Sequence, residues 1–241
     1  MGSMTPEIRH GKVSLGDMTI AFREIGVPRG VPVVLLHAWG STAGTWDDFA
    51  ARMAARVRHV LALDLRGHGD STWTGTYSLA SMRDDVLGFL DHRGIDRVDL
   101  VGHSMGGAVA VLVAQRQPGR VRRLVVEDTP PPPETPPGEA IAPMAEPATP
   151  LPFDWRSFEP IITEMRTPDP GWWECLKAIR ASTLLISGGP SSHVSPGALA
   201  RMSGIIGDCR LVTVGEAGHR VHSLKLEEFW SVTAPFLCAE H

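Results

Sequence analysis

The sequence predicts an α/β fold, a mainly parallel sheet of about eight strands with helices on both faces. Three observations predict it. Short, continuous apolar runs recur along the chain, amphipathic stretches separate them, and one of these junctions carries a serine between glycines. The runs are Val33–His37, Val60–Asp64, Val98–Gly102, Leu124–Asp128, Thr183–Ser187 and Arg210–Val214. Unbroken apolar runs of this length suit strands buried on both faces. Lys12–Ile25 instead alternates around Gly16-Asp17, which predicts an antiparallel hairpin at the start of the sheet.

The intervening stretches predict helices. Trp46–Arg56 follows Thr45 as a candidate N-cap, and Leu79–His92 follows Ser78 in the same role. Met105–Gln117 stops before Pro118, where a helix cannot continue. Pro196–Met202 and Leu224–Leu237 complete the set.

One segment departs from this rhythm. Residues 130–170 hold 13 of the chain's 20 prolines, beginning with the run Pro130–Pro133, which favours extended backbone. A disordered linker is one reading of 130–150. Further on, Phe153, Trp155, Phe158, Ile161, Ile162 and Met165 fall at near-helical spacing, as do Trp172, Trp173, Leu176 and Ile179. Two short apolar-faced helices inserted between strands predict a cap at 129–180. It divides the core into a first part, 1–128, and a second, 181–241.

Composition narrows the function. The chain has 241 residues, 43% of them hydrophobic, and a net charge of −4. That suffices for one sizeable core and lacks the basic footprint of a nucleic-acid binder. No apolar run approaches the length of a membrane span. Met1-Gly2-Ser3 reads as an expression remnant before Met4, without a signal-peptide layout. Cys175, Cys209 and Cys238 have no metal-like spacing and read as free thiols of a cytoplasmic protein.

The chemistry starts at Gly102-His103-Ser104-Met105-Gly106-Gly107. It follows an apolar strand and opens a helix, the setting of a nucleophile elbow. Glycines let strand and helix pack closely around a strained turn that lifts the Ser104 hydroxyl above the sheet. A serine needs a base. His219, in Glu216-Ala217-Gly218-His219 after a predicted strand, is the candidate. His222 is a weaker rival that suits support of the same turn. His103 should point away from Ser104, and His37 and His68 read as structural residues of their loops.

The base needs a carboxylate to set its tautomer. The loop after Thr183–Ser187 reads Gly188-Gly189-Pro190-Ser191-Ser192-His193-Val194 and holds no acid. That leaves Glu127 and Asp128, at the end of the preceding strand. Adjacent strand residues point to opposite faces, so one of the two should reach His219; Asp128 is preferred and Glu127 is the alternative. Oxyanion donors should be the amide of Met105 and that of Trp39, in His37-Ala38-Trp39-Gly40, with Ala38 the lesser candidate. Trp155, Phe158, Trp172 and Trp173 should line an apolar substrate pocket with Trp39 and Met105; the alternative is that they only attach the cap.

With these motifs in view, the chain resembles the α/β-hydrolase superfamily over nearly its full length. Leu36–Gly40, Asp64–Ser71, the elbow and Ala217-Gly218-His219 carry the resemblance. It is similar to a group of small esterases with Asp128-Thr129-Pro130 and a Gly-Gly-x-Ser-x-x-Val loop like Gly188–Val194. That resemblance implies Asp128 as the acid. Members usually have His-Gly where this chain has His37-Ala38, and an alanine does not freely adopt positive φ. A differently shaped oxyanion loop is therefore expected.

The function expected is hydrolysis of an ester or related acyl bond of a small molecule, through an acyl-enzyme, without metal or organic cofactor. Thioesterase, lactonase, or lyase and cyclase chemistry on the same residues is an alternative, and a non-catalytic ligand receptor on this fold is another. Ser104 stands where a dehalogenase needs a carboxylate. The sequence does not specify the oligomeric state.

Overall fold

The sheet opens with a hairpin. Strands β1 (Arg9–Leu15) and β2 (Met18–Ile25) pair antiparallel around Gly16, whose φ of +73° suits a glycine. In this computed structural model, residues 7–136 and 138–239 are described. Met1-Gly2-Ser3 lies outside them.

After the hairpin come β3 (Val33–Leu36), α1 (Asp47–Ala55), β4 (Val60–Leu63), α2 (Leu79–His92), β5 (Val98–His103), α3 (Met105–Arg116) and β6 (Val121–Glu127). Later elements are α4 (Phe158–Met165), α5 (Pro170–Cys175), β7 (Ser182–Ser187), α6 (Pro196–Ile205), β8 (Cys209–Thr213), α7 (Val221–Leu224) and α8 (Leu226–Cys238). Among the described residues the sheet has 8 strands, ordered β1-β2-β4-β3-β5-β6-β7-β8. From β4 to β8 all neighbours are parallel.

Parallel strands buried on both faces feed two cores. Along β3, Val34 and Leu36 pack into one core with Phe89 of α2 and Val109 of α3. Val33 and Leu35 pack into the other with Trp46, Phe49 and Met53 near α1 and Phe229 and Leu237 of α8. The two-residue period of a strand divides its side chains between the layers. No helix among the described residues is long and apolar enough to cross a membrane.

Several boundaries differ from expectation. Thr45 does not cap α1: it lies in a 3₁₀ turn, Ala43–Trp46, and its hydroxyl bonds His222 Nε2 at 2.8 Å. Ser78 does cap α2, accepting from the Ser81 amide at 3.0 Å. The last predicted helix is α8, which starts two residues later than expected, and a short extra helix, α7, precedes it across Lys225. Strand β6 stops at Glu127, so Asp128 lies just beyond it, at φ +42°.

Between β6 and β7, which are neighbours, the chain makes a long excursion. It holds a 3₁₀ turn at Trp155–Ser157, then α4, α5 and a second 3₁₀ turn at Leu176–Ala178. Asp154 ties it down by accepting from Tyr77 Oη at 2.6 Å, and Trp173 Nε1 donates to the Pro132 carbonyl at 3.0 Å.

The turn between β5 and α3 is packed backbone against backbone. A Cβ on Gly102 would collide with the Gly106 carbonyl, and one on Gly106 with the carbonyls of Leu36 and His37. A Cβ on Gly107 would strike Thr129 Oγ1. Backbone cannot move aside as a flexible side chain can. Gly106→Ala should therefore destabilise the fold by about 3 kcal/mol, the upper range for overpacking a core. Urea denaturation of the variant checks this; an unchanged midpoint would contradict the packing argument.

Candidate active site

Ser104 sits between β5 and α3 at φ +52° and ψ −117°. A non-glycine residue there costs roughly 1–3 kcal/mol, a strain that surrounding packing must hold. The Ser104 amide donates to the Glu127 carbonyl at 3.0 Å, and its own carbonyl accepts from Thr129 Oγ1 at 3.1 Å. The elbow is thereby tied to the end of β6. Among the described residues the Ser104 hydroxyl makes no hydrogen bond to another side chain.

Asp128 and His219 meet at the same end of the sheet. His219 Nδ1 lies 2.8 Å from Asp128 Oδ2. An ionised carboxylate only accepts, so Nδ1 carries the proton and Nε2 is left as an acceptor. Asp128 is fully buried, while the His219 side chain is 28% exposed. Burial pushes the Asp128 carboxyl up, but hydrogen bonds from His219, Ser192 and Gly188 outweigh it and hold the group below its ordinary range. Ser192 Oγ donates to Oδ2 at 2.5 Å and the Gly188 amide to Oδ1 at 2.8 Å. The loop that lacks an acid supplies donors to one, a role the sequence reading did not assign. Gly188 must be glycine for a second reason: a Cβ there would strike the Gly218 carbonyl, beside His219.

Glu127 does different work. It is fully buried and faces His222, whose amide donates to Oε1 at 2.9 Å and whose Nδ1 lies 2.8 Å from Oε2. Burial would raise its pKa, yet the facing His222 and His103 imidazoles and the His222 hydrogen bonds hold it below its usual value. The His222 ring also stacks on Trp46 at 4.0 Å. His103 Nε2 donates to the His219 carbonyl at 2.6 Å. Ligand atoms of His103, Glu127 and His222 come within 4.8 Å of one another in a grouping that could hold a metal ion; His103 Nε2, both His222 nitrogens and the Glu127 carboxylate are engaged in hydrogen bonds.

Two further buried histidines shape the loop after β3. His37 Nε2 accepts from the Leu65 amide at 3.0 Å, so its Nδ1 donates to the Ala38 carbonyl at 2.7 Å. His68 Nε2 accepts from the Gly40 amide at 3.2 Å. Burial pushes their pKa values down, His37 to about 4 and His68 to about 3. Ala38 does not hold the turn's left-handed position. The Ser41 amide bonds the Ala38 carbonyl at 3.2 Å and the positive φ, +76°, falls on Gly40. Ala38 is thus not required to adopt a positive φ. Among the described residues the Trp39 and Met105 amides donate to no other backbone carbonyl.

A cavity of about 550 Å³ opens over Ser104, lined by Trp39, Pro130, Pro131, Pro133, Thr135, Ile162, Met165, Arg166 and His193. The structure places most of the expected aromatic wall elsewhere. Trp172 and Trp173 are buried in the core beside α3, where Gln115 donates to the Trp172 carbonyl at 2.9 Å. Phe158 packs behind Trp39, with ring centroids 4.9 Å apart, and Trp155 is half-buried in the 3₁₀ turn before α4. Helix α4 supplies aliphatic side chains instead.

This chain belongs to the α/β hydrolase fold family, whose model matches residues 31–183. An sn-1-specific diacylglycerol lipase of Mus musculus, ABHD11, is 28% identical over 85% of this chain and 80% of its own. Other curated relatives match over about half of this chain and less than half of their own length. A hydrolase from Pseudomonas aeruginosa superposes with a TM-score of 0.81 at 25% identity, over 95% of this chain and 98% of that one. An enol-lactonase from Burkholderia xenovorans shares the fold with the same TM-score at 21% identity, over 95% and 100%.

The buried imidazoles predict a pH dependence of stability. Burial also lowers His103 to about 4. Below about pH 6.5 the unfolded chain binds protons at His37, His68 and His103 that the folded chain does not, so stability falls as pH drops from there toward 4. Each such histidine adds about 1.4 kcal/mol per pH unit to the slope. Urea midpoints between pH 7 and 5 check it; a flat profile would mean these rings protonate in place.

Proposed function

We propose that the chain is a serine hydrolase acting on an ester, or a related acyl compound, of a small molecule. The observation that carries the reading is the 2.8 Å contact of His219 Nδ1 with buried Asp128, beside the elbow that presents Ser104. Similarity to a diacylglycerol lipase, itself named for an ester substrate, supports it.

In this reading Ser104 Oγ attacks the acyl carbon as its proton passes to His219 Nε2. Asp128 fixes the tautomer and stabilises the imidazolium that forms. The amides of Met105 and Trp39 receive the oxyanion, helped by the N-terminus of α3. The intermediate collapses, the alcohol leaves with the proton from His219, and water cleaves the acyl-enzyme by the same steps. Residues 129–180 act as a cap: α4 covers the cavity, and its Ile162 and Met165 receive the apolar part of the substrate. The free thiols Cys175, Cys209 and Cys238 suit a cytoplasmic setting.

Hydrolysis of p-nitrophenyl esters tests the assignment. Ser104→Ala should abolish turnover while circular dichroism stays unchanged. Asp128→Asn should lower kcat by about 10⁴-fold, because the wrong tautomer is then favoured. A folded Ser104→Ala variant that retains more than a few per cent of activity would refute the nucleophile. If Asp128→Asn were harmless, the acid would have to come from elsewhere.

A further inference from the structure

The geometry points to Arg166 as an anion-binding residue of the Ser104 cavity, selecting acyl substrates that carry a carboxylate away from the scissile carbonyl. This rests on the serine-hydrolase reading and names the substrate class that reading leaves open.

The argument begins with helix α4. Ile162, Met165 and Arg166 are spaced i, i+3 and i+4, so they share one face, and all three line the cavity. The first two make that face apolar. Arg166, the exposed C-cap residue, closes that face with a basic side chain, and its amide is anchored to the carbonyls of Ile162 and Thr163 at 3.1 and 3.2 Å. Among the described residues the rest of the wall is Trp39, Ser104, prolines, Thr135 and His193, without a carboxylate.

Arg166 has no acid to satisfy it along its own helix. The positions three and four residues before it are Thr163 and Ile162. Nearby carboxylates have other partners. Glu164 accepts from the Leu79 amide at 2.8 Å, Asp169 from the Trp172 amide at 2.9 Å, and Glu134 pairs with Arg201. Among the described residues, the Arg166 guanidinium therefore enters no ion pair. An arginine presents a planar fork of donors that matches a carboxylate. An acyl chain with one end at Ser104 would run along Ile162 and Met165 and place a terminal carboxylate at Arg166.

Two p-nitrophenyl esters of matched reach test this: the heptanoate, and the hexanedioate monoester, in which a carboxylate oxygen stands in place of the terminal methyl. The wild-type chain should prefer the carboxylate ester about threefold to fivefold in kcat/KM at low salt, through KM. Arg166→Gln should abolish the preference, Arg166→Glu should reverse it, and about 0.5 M NaCl should shrink it in the wild type. Equal use of both esters by the wild type, or an unchanged preference in Arg166→Gln, would overturn the proposal. If neither ester were turned over, the hydrolase reading would be the one to fail. The anion site is then read separately, by calorimetry of monomethyl hexanedioate, which carries one free carboxylate, against uncharged methyl heptanoate on the Ser104→Ala variant. Preferential binding of monomethyl hexanedioate that disappears in Ser104→Ala/Arg166→Gln supports it, and no preference overturns it.

Discussion

Asp128 is a carboxylate without solvent exposure, on a residue at positive φ, and the arrangement of the site follows from the need to satisfy it. A buried charge is tolerated only where donors replace the water it has lost. Here the donors are the Gly188 amide, Ser192 Oγ and His219 Nδ1. They come from the loop after β7 and the loop after β8, so one carboxylate joins three strand ends. The backbone kink at Asp128 turns its side chain out of the strand register and toward those loops. Without it, His219 would keep its place in the chain and lose its orientation.

Beneath that layer lies a second one. His103, Glu127 and His222 are fully or nearly fully buried, and each is close in sequence to one of Ser104, Asp128 and His219. His103 and Glu127 end neighbouring strands and face each other in register. Their side chains are buried, and the next residues, Ser104 and Asp128, are both at positive φ. The His103 bond to the His219 carbonyl and the Glu127 bond to the His222 amide hold the loop that carries His219. Removing one partner of such a buried pair leaves an uncompensated charge and is strongly destabilising. Conformational strain above is thus matched by polar satisfaction below.

The excursion between β6 and β7 divides its labour by residue type. Its tryptophans anchor: Trp172 and Trp173 go into the core, and Trp173 holds the proline run through the Pro132 carbonyl. Its prolines and the aliphatic face of α4 form the cavity wall. Prolines suit that task, because they hold an extended chain without leaving amide donors exposed to an apolar cavity.

Much of this was legible in the chain itself. The apolar runs, the hairpin glycine and the strand–Ser–helix junction specify the α/β order, because each depends on residues near in sequence and on the periods of strand and helix. The absence of an acid in Gly188–Val194 directed attention to Glu127 and Asp128, and strand alternation predicted that they would part company. What only the tertiary structure decided was which partner each took, since that depends on the kink at Asp128 and on loops some 60 to 95 residues away. The same holds for Thr45, which reads locally as a helix cap and is drawn instead to His222, 177 positions on. Aromatic density in the inserted segment signalled burial but not against what. Whether a tryptophan lines a cavity or fills a core depends on what the rest of the chain places opposite it, and local sequence does not contain that.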